Sequence, residues 1–217
     1  MNKFTATVFN VTSVIAEMVV LNIPWILFSL CGMVVLGVFP ASFALLERCQ
    51  AVLSGEVSSG GTLKAFWAAY RRNFVRANVL GYSVGLLLVV GLIDLRYLLH
   101  ATGALAEFAA IMIIGTAAMI GIVSPSIATA CAENGTITRE ALKRGATAVV
   151  VSPFWSALRA LSIAVVCGAL YLAPGAAVAV GASMVGFVCL FVGGRTPSIR
   201  MRPSLTRRRA WSASMAA

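Results

Sequence analysis

The side chains best suited to chemistry are sparse in this chain of 217 residues and lie far apart. Five cysteines occur, Cys31, Cys49, Cys131, Cys167 and Cys189, and no two form a C-x-x-C pair. His100 is the single histidine. A tetrahedral zinc site needs four such ligands at close spacing, so no metal is expected. No cofactor is expected either. The sequence has no phosphate-binding G-x-x-x-x-G-K-[ST], no G-x-G-x-x-G, no H-E-x-x-H and no G-x-S-x-G. One histidine cannot form a two-histidine proton relay. The cysteines fall in or near apolar runs and read as reduced, small apolar side chains.

Arg159 sits about five residues inside the 154–172 apolar run. A charge at the bilayer centre costs roughly 2.5–3.5 kcal/mol on insertion scales. At five residues from the end of the run it can snorkel to the headgroups, which is the favoured reading. The sharper reading pairs it with Glu133 or with a substrate anion. Glu17, Asp94 and Glu107 fall near the ends of runs and read as solvated.

The runs that hold these residues define the class. Hydrophobic residues make up 60% of the chain and charged residues 11%, against roughly 25% charged in a soluble domain. A water-soluble fold of this size cannot hide that much apolar surface. Apolar runs cover 18–39, 77–99, 108–131, 154–172 and 176–194. At 1.5 Å per residue, 23 residues reach about 34 Å, enough to cross the hydrocarbon with tilt. The 154–194 stretch is too long for one span, and Pro174-Gly175 reads as a turn between two; the alternative is a re-entrant hairpin. Asn22, Pro24 and Trp25 predict a bend in the first span. Residues 4–17 carry Phe4, Val8, Val11 and Ile15 at helical spacing, as an interfacial segment or an extension of that span. Five spans form a single membrane domain over 1–194, an all-α polytopic architecture, followed by a basic, disordered tail at 195–217.

Net charge is +10, and its placement decides between nucleic acid and membrane as the partner. The 46–76 segment carries Arg48, Lys64, Arg71, Arg72 and Arg76. The 132–153 segment carries Arg139, Lys143 and Arg144, and the tail holds six arginines. Basic blocks between apolar runs mark cytoplasmic loops against an anionic inner leaflet, not a nucleic-acid surface. With five spans the N-terminus is outside and the C-terminus in the cytosol of a bacterial cytoplasmic membrane.

Within 62–76, Leu63, Phe66, Trp67, Tyr70 and Phe74 fall on one arc at 100° per residue, and Lys64, Arg71, Arg72 and Arg76 on the other. Thr62 is placed to cap a helix. An amphipathic interfacial helix on the cytoplasmic leaflet is expected. Its plain role is an elbow into the second span. Its functional role is a docking surface made of Phe66, Trp67, Tyr70 and Phe74. Small residues at packing distance, Gly81/Gly85, Ala117/Gly121, Ala177/Gly181 and Ala182/Gly186, predict close helix contacts. Asn134-Gly135-Thr136 matches the glycosylation pattern but reads as a turn.

Three blocks resemble the YesL-like family of bacterial membrane proteins, a domain of unknown function. They are Leu21-Asn22-Ile23-Pro24-Trp25-Ile26-Leu27-Phe28-Ser29-Leu30, Gly37-Val38-Phe39-Pro40-Ala41, and Phe66-Trp67 with Tyr70-Arg71-Arg72-Asn73-Phe74 running into Asn78-Val79-Leu80-Gly81. The motif positions are Asn22, Trp25, Pro40, Asn73 and Gly81, and the likeness covers roughly residues 18–100. Pro24 departs from the leucine common there. The resemblance carries over no catalytic residue. It implies an integral membrane protein whose genes neighbour sugar importers of the ATP-binding-cassette (ABC) type, and hence a non-enzymatic accessory subunit or regulator bound to permease subunits. The alternatives are an autonomous small-solute transporter or channel and, third, a membrane enzyme.

Overall fold

A computed structural model describes residues 3–54, 61–98, 100 and 103–194, with the side chains of 3–15, 104 and 178 outside the description. The basic tail at 195–217 and the side chains of Phe4, Val8, Val11 and Ile15 therefore lie outside it. Seven helices account for nearly all described residues, and no strand occurs among them: α1 (Lys3–Cys31), α2 (Val38–Leu53), α3 (Thr62–Leu98), α4 (Ala104–Asn134), α5 (Arg139–Val151), α6 (Pro153–Leu172) and α7 (Pro174–Gly193).

The first expected span is not a single helix. α1 continues through Pro24 but stops at Cys31, and the chain reverses over residues 32–37 before α2. Two glycines permit the reversal. A Cβ on Gly32 would lie 2.3 Å from the Cα of Gly37, and one on Gly37 would lie 2.3 Å from the Ser29 carbonyl oxygen. Met33 and Val34 take left-handed backbone angles, with φ of 55° and 62°. For a β-branched residue such as Val34 that conformation is costly and must be held by its surroundings. Hydropathy registers the 18–39 run as continuous because no residue in the turn is polar.

The expected break between an interfacial helix at 62–76 and a span at 77–99 is also absent. α3 is one helix of 37 residues, about 55 Å long and far longer than the roughly 30 Å hydrocarbon core. No proline or glycine lies between Thr62 and Leu80 to interrupt it. The Gly61 carbonyl, not Thr62, accepts the first helical bond, from the Ala65 amide at 3.2 Å.

α4 runs through Pro125 and ends on Gly135, whose φ of 70° makes the left-handed stop that glycine favours. The 132–153 stretch is not simply a loop: it holds α5, capped by Thr138, whose side chain accepts from the Ala141 amide. α6 and α7 are separated by Ala173 alone, and each starts on a proline. Proline is suited to a first turn because the amide it lacks would have no helical partner there. The break between the two runs falls at Ala173, one residue before the expected Pro174-Gly175, which open α7.

Among the described residues three helices are long and apolar enough to cross a membrane: Thr62–Leu98, Leu105–Asn134 and Pro153–Leu172. Their most apolar windows bury almost nothing within the chain, 6%, 0% and 17% respectively. Leu86, Leu87, Leu92 and Ile93 on α3 and Phe108, Ile111 and Ile114 on α4 are all more than half exposed. Such continuous apolar surface is stable against lipid tails and not against water. The fold is all-α, that of a polytopic helical membrane protein.

The buried core sits at one end, where the basic segments gather. One cluster joins Leu21 of α1, Ala44, Leu45 and Cys49 of α2, Phe66 and Tyr70 of α3, and Phe187 and Leu190 of α7. A second joins Phe43, Ala77, Cys131, Ile137 and Ala141. Of the small-residue pairs, Gly186 packs on Cys49 and Leu46, while Gly85 and Gly121 face open space.

Candidate functional site

The three sequence blocks converge on one structural unit. Phe28 of α1 stacks with Phe66 and Trp67 at ring separations of 5.4 and 5.3 Å and meets Tyr70 at 5.4 Å. Trp67 stacks on Tyr70 at 5.7 Å, and Phe74 tilts against Tyr70 at 5.4 Å. Phe66 and Tyr70 are thereby buried within the chain. This corrects the expectation that the arc Phe66, Trp67, Tyr70 and Phe74 is a free docking face. The arc is apolar because α1 and α2 cover most of it. Phe74 is half-buried, and Trp67 keeps 47% exposure at the edge.

The remaining motif positions act in packing and hydrogen bonding. Asn22 is buried in α1. Trp25 donates its indole N–H to Ser42 Oγ at 3.1 Å, joining α1 to α2. Pro40 is buried in the first turn of α2, where it forfeits no helical bond. Gly81 lies against the Phe39 ring. The Tyr82 hydroxyl donates to the Val35 carbonyl, and Asn78 Nδ2 donates to the Leu36 carbonyl at 3.0 Å. These two side chains satisfy carbonyls of the turn that no helix can, as irregular backbone in an apolar setting requires.

Asn73 pins the α4–α5 connection. It is fully buried, its Oδ1 accepts from the Ile137 amide at 3.2 Å, and its Nδ2 reaches the Ala69 and Gly135 carbonyls at 3.4 and 3.5 Å. Arg72 donates to Glu47 at 2.5 Å and to the Gly135 carbonyl at 2.8 Å. Arg76 donates to the Ile137 carbonyl at 3.2 Å. The partners Glu47, Gly135 and Ile137 were not legible as such, because they are distant in sequence and two of them act through their backbone.

A second polar centre forms where α4, α6 and α7 meet. Arg159 does not snorkel: it is fully buried inside the chain. Its Nη2 would lie 3.4 Å from a Cβ on Gly193, a position only 2.5 Å from Thr129 Cγ2. Thr129 Oγ1 lies 3.4 Å from Cys189 Sγ and donates to the Pro125 carbonyl at 2.8 Å. Ser156, three residues before Arg159 on α6, is fully buried, and its hydroxyl has no hydrogen-bond partner among the described residues. Glycine at 193 leaves room for the guanidinium beside Thr129.

Among the described residues no group of three or more His, Cys, Asp or Glu side chains could hold a metal ion. Cys49, Cys131 and Cys189 are buried free thiols, and Cys31 and Cys167 are exposed ones. Burial pushes the Cys49 thiol well above the ordinary thiol range.

Comparison with known proteins falls on the same segment. "Uncharacterized protein YteU" of Bacillus subtilis (strain 168) is 35% identical over 85 residues, which make up 36% of this chain and 38% of that relative. The match thus spans well under half of either protein. No solved structure matches the chain. Residues 18–95 match the family model described as "Protein of unknown function, DUF624", and this is the segment that carries the chain's resemblance to the YesL-like family.

Proposed function

We propose that the protein is a non-enzymatic accessory subunit or regulator of a carbohydrate ABC importer. In this reading it is held in the cytoplasmic membrane, with its basic segments and its C-terminus in the cytosol. The observation that supports it is Trp67. This ring is stacked on Phe28 and Tyr70, so its rotamer is fixed, yet nearly half its surface is open. Leu63 lies beside it one turn earlier, exposed, with Lys64 and Arg71 exposed on the same stretch of α3. A rigid, half-open aromatic residue with a basic rim is the composition of an interface anchor, because little side-chain entropy remains to be lost on binding. The sugar importer as partner rests on the family resemblance.

Purification of the tagged chain in mild detergent tests the reading. Permease subunits should co-purify, and Trp67→Ala should release them while the protein remains folded. Partner-free wild-type protein, together with unchanged sugar uptake in a deletion strain, would overturn it.

A second reading, an autonomous small-solute transporter or channel, is favoured by the buried Arg159, whose guanidinium lies near Thr129 across Gly193. Ionisable residues inside membrane spans are rare and mark solute and ion pathways. Flux of a labelled anion into liposomes that contain only this protein separates the two.

A further inference from the structure

The outer side of α3 and the start of α5 enclose a groove of about 540 Å³. That volume is within the roughly 300–1,000 Å³ of small-ligand sites. Val79 and Leu80 of α3 and Leu142 of α5 form its apolar walls, and Arg76 and Arg139 supply its charge. No acidic residue lines it. Ser83 also lines the groove, but its hydroxyl is spent on the Val79 carbonyl at 2.7 Å, so that wall presents little polarity.

The groove runs across the boundary that the sequence draws along α3. Lys64, Arg71, Arg72 and Arg76 lie before it, and no charged residue follows until Asp94. Arg76 is the last basic residue before that uncharged run. Its guanidinium is tethered by one donor to the Ile137 carbonyl at 3.2 Å, and a guanidinium has five donors. Arg139 is the first residue of α5, where the amide ends of the helix add partial positive charge. One end of the groove is therefore cationic and the other is hydrocarbon-like, oriented along a helix that crosses the bilayer.

We infer that this groove is a binding site for an anionic phospholipid, with the phosphate between Arg76 and Arg139 and an acyl chain along Val79, Leu80 and Leu142. Charge complementarity selects an anion. The apolar wall selects one that carries a hydrocarbon chain. This site is independent of whether Trp67 engages a partner, so its failure and the failure of the importer reading are separately visible.

Native mass spectrometry of the full chain in mild detergent tests it, with dioleoyl phosphatidylglycerol, dioleoyl phosphatidylcholine, dioleoylglycerol and inorganic phosphate as probes. Phosphatidylglycerol is expected to stay bound at one molecule per chain in preference to phosphatidylcholine. Dioleoylglycerol should not bind, and inorganic phosphate should not displace the lipid. Arg139→Gln and Arg76→Gln should each weaken binding roughly fivefold, the effect of about one charge at a membrane surface. Arg96→Gln, at the other end of α3, should leave it unchanged. Arg139 is exposed, so R139Q decides the matter even if R76Q disturbs the α4–α5 connection. Equal binding of phosphatidylglycerol by R139Q and wild type would overturn the proposal. So would equal retention of phosphatidylcholine, or displacement by phosphate alone, which would mark a site for free phosphate.

Discussion

Gly81 of α3 lies directly under the ring of Phe39 of α2: a Cβ at position 81 would stand 2.3 Å from two ring carbons. Phe39 also meets the Tyr82 ring edge-on at 5.1 Å, so it has little freedom to retreat. Gly81→Ala should destabilise the protein by about 1–3 kcal/mol through overpacking. Thermal unfolding in detergent would read the loss. Phe39→Leu in the same chain should recover part of it, because the ring is what the new methyl meets. Additive losses in the double variant would sink the explanation.

Asn73 and the Arg72–Glu47 pair both hold the α4–α5 connection, but physics ranks them differently. Asn73 is fully buried and meets three backbone groups. Asn73→Ala leaves the Ile137 amide without its acceptor and should cost about 1–3 kcal/mol. The ion pair has side-chain exposures of 43% and 22%. Glu47→Gln should cost less than about 1 kcal/mol, and the loss should shrink further in salt. Chemical denaturation of the two variants checks the order.

The thiols should divide by burial. In the folded protein N-ethylmaleimide should spare the buried Cys49, Cys131 and Cys189. After denaturation all five should react. For Cys49 the pH dependence has a definite sign. Burial raises its pKa above the unfolded value, so the fold favours the neutral thiol. The corresponding stability is fully present below the ordinary thiol range, near pH 8.5, and declines as pH rises beyond it. Cys49→Ala should flatten that alkaline decline in melting temperature. An unchanged slope would show that another group causes it.

Orientation is open to a direct measurement. In a background without native cysteines, Lys64→Cys should react with an impermeant maleimide in inverted vesicles and not in intact cells. Labelling in intact cells would reverse the proposed topology, since it would place the basic segment of α3 outside.

The helical class, the α6–α7 boundary and the turn at Gly135 were legible because each has a local cause: apolar run length, proline and glycine. The continuity of α3 was obscured by its change of character at Ala77, from two-faced to uniformly apolar, although a helix can change its surroundings without a break. Phe66 and Tyr70 looked like a surface because amphipathicity does not reveal what covers the apolar face. α5 is short and charged; Thr138 ahead of Glu140 was its available start signal. The reversal at Gly32 and Gly37 depends on two backbones meeting at van der Waals distance, which hydropathy does not encode. Arg159 was recognised as unusual, yet its surroundings come from α4 and α7, and depth along its own helix gave no view of them.

The bend between α1 and α2 also imposes an order on assembly. The carbonyls of Val35 and Leu36 take their hydrogen bonds from Tyr82 and Asn78, 47 and 42 residues later in the chain. During synthesis these groups leave the ribosome well before their donors do. The α1–α2 hairpin therefore cannot settle in an apolar setting by itself, and it waits in water or at the headgroups until the third helix arrives. A nascent chain stalled before residue 78 should leave that hairpin extractable by alkaline carbonate, and one that extends past residue 98 should not.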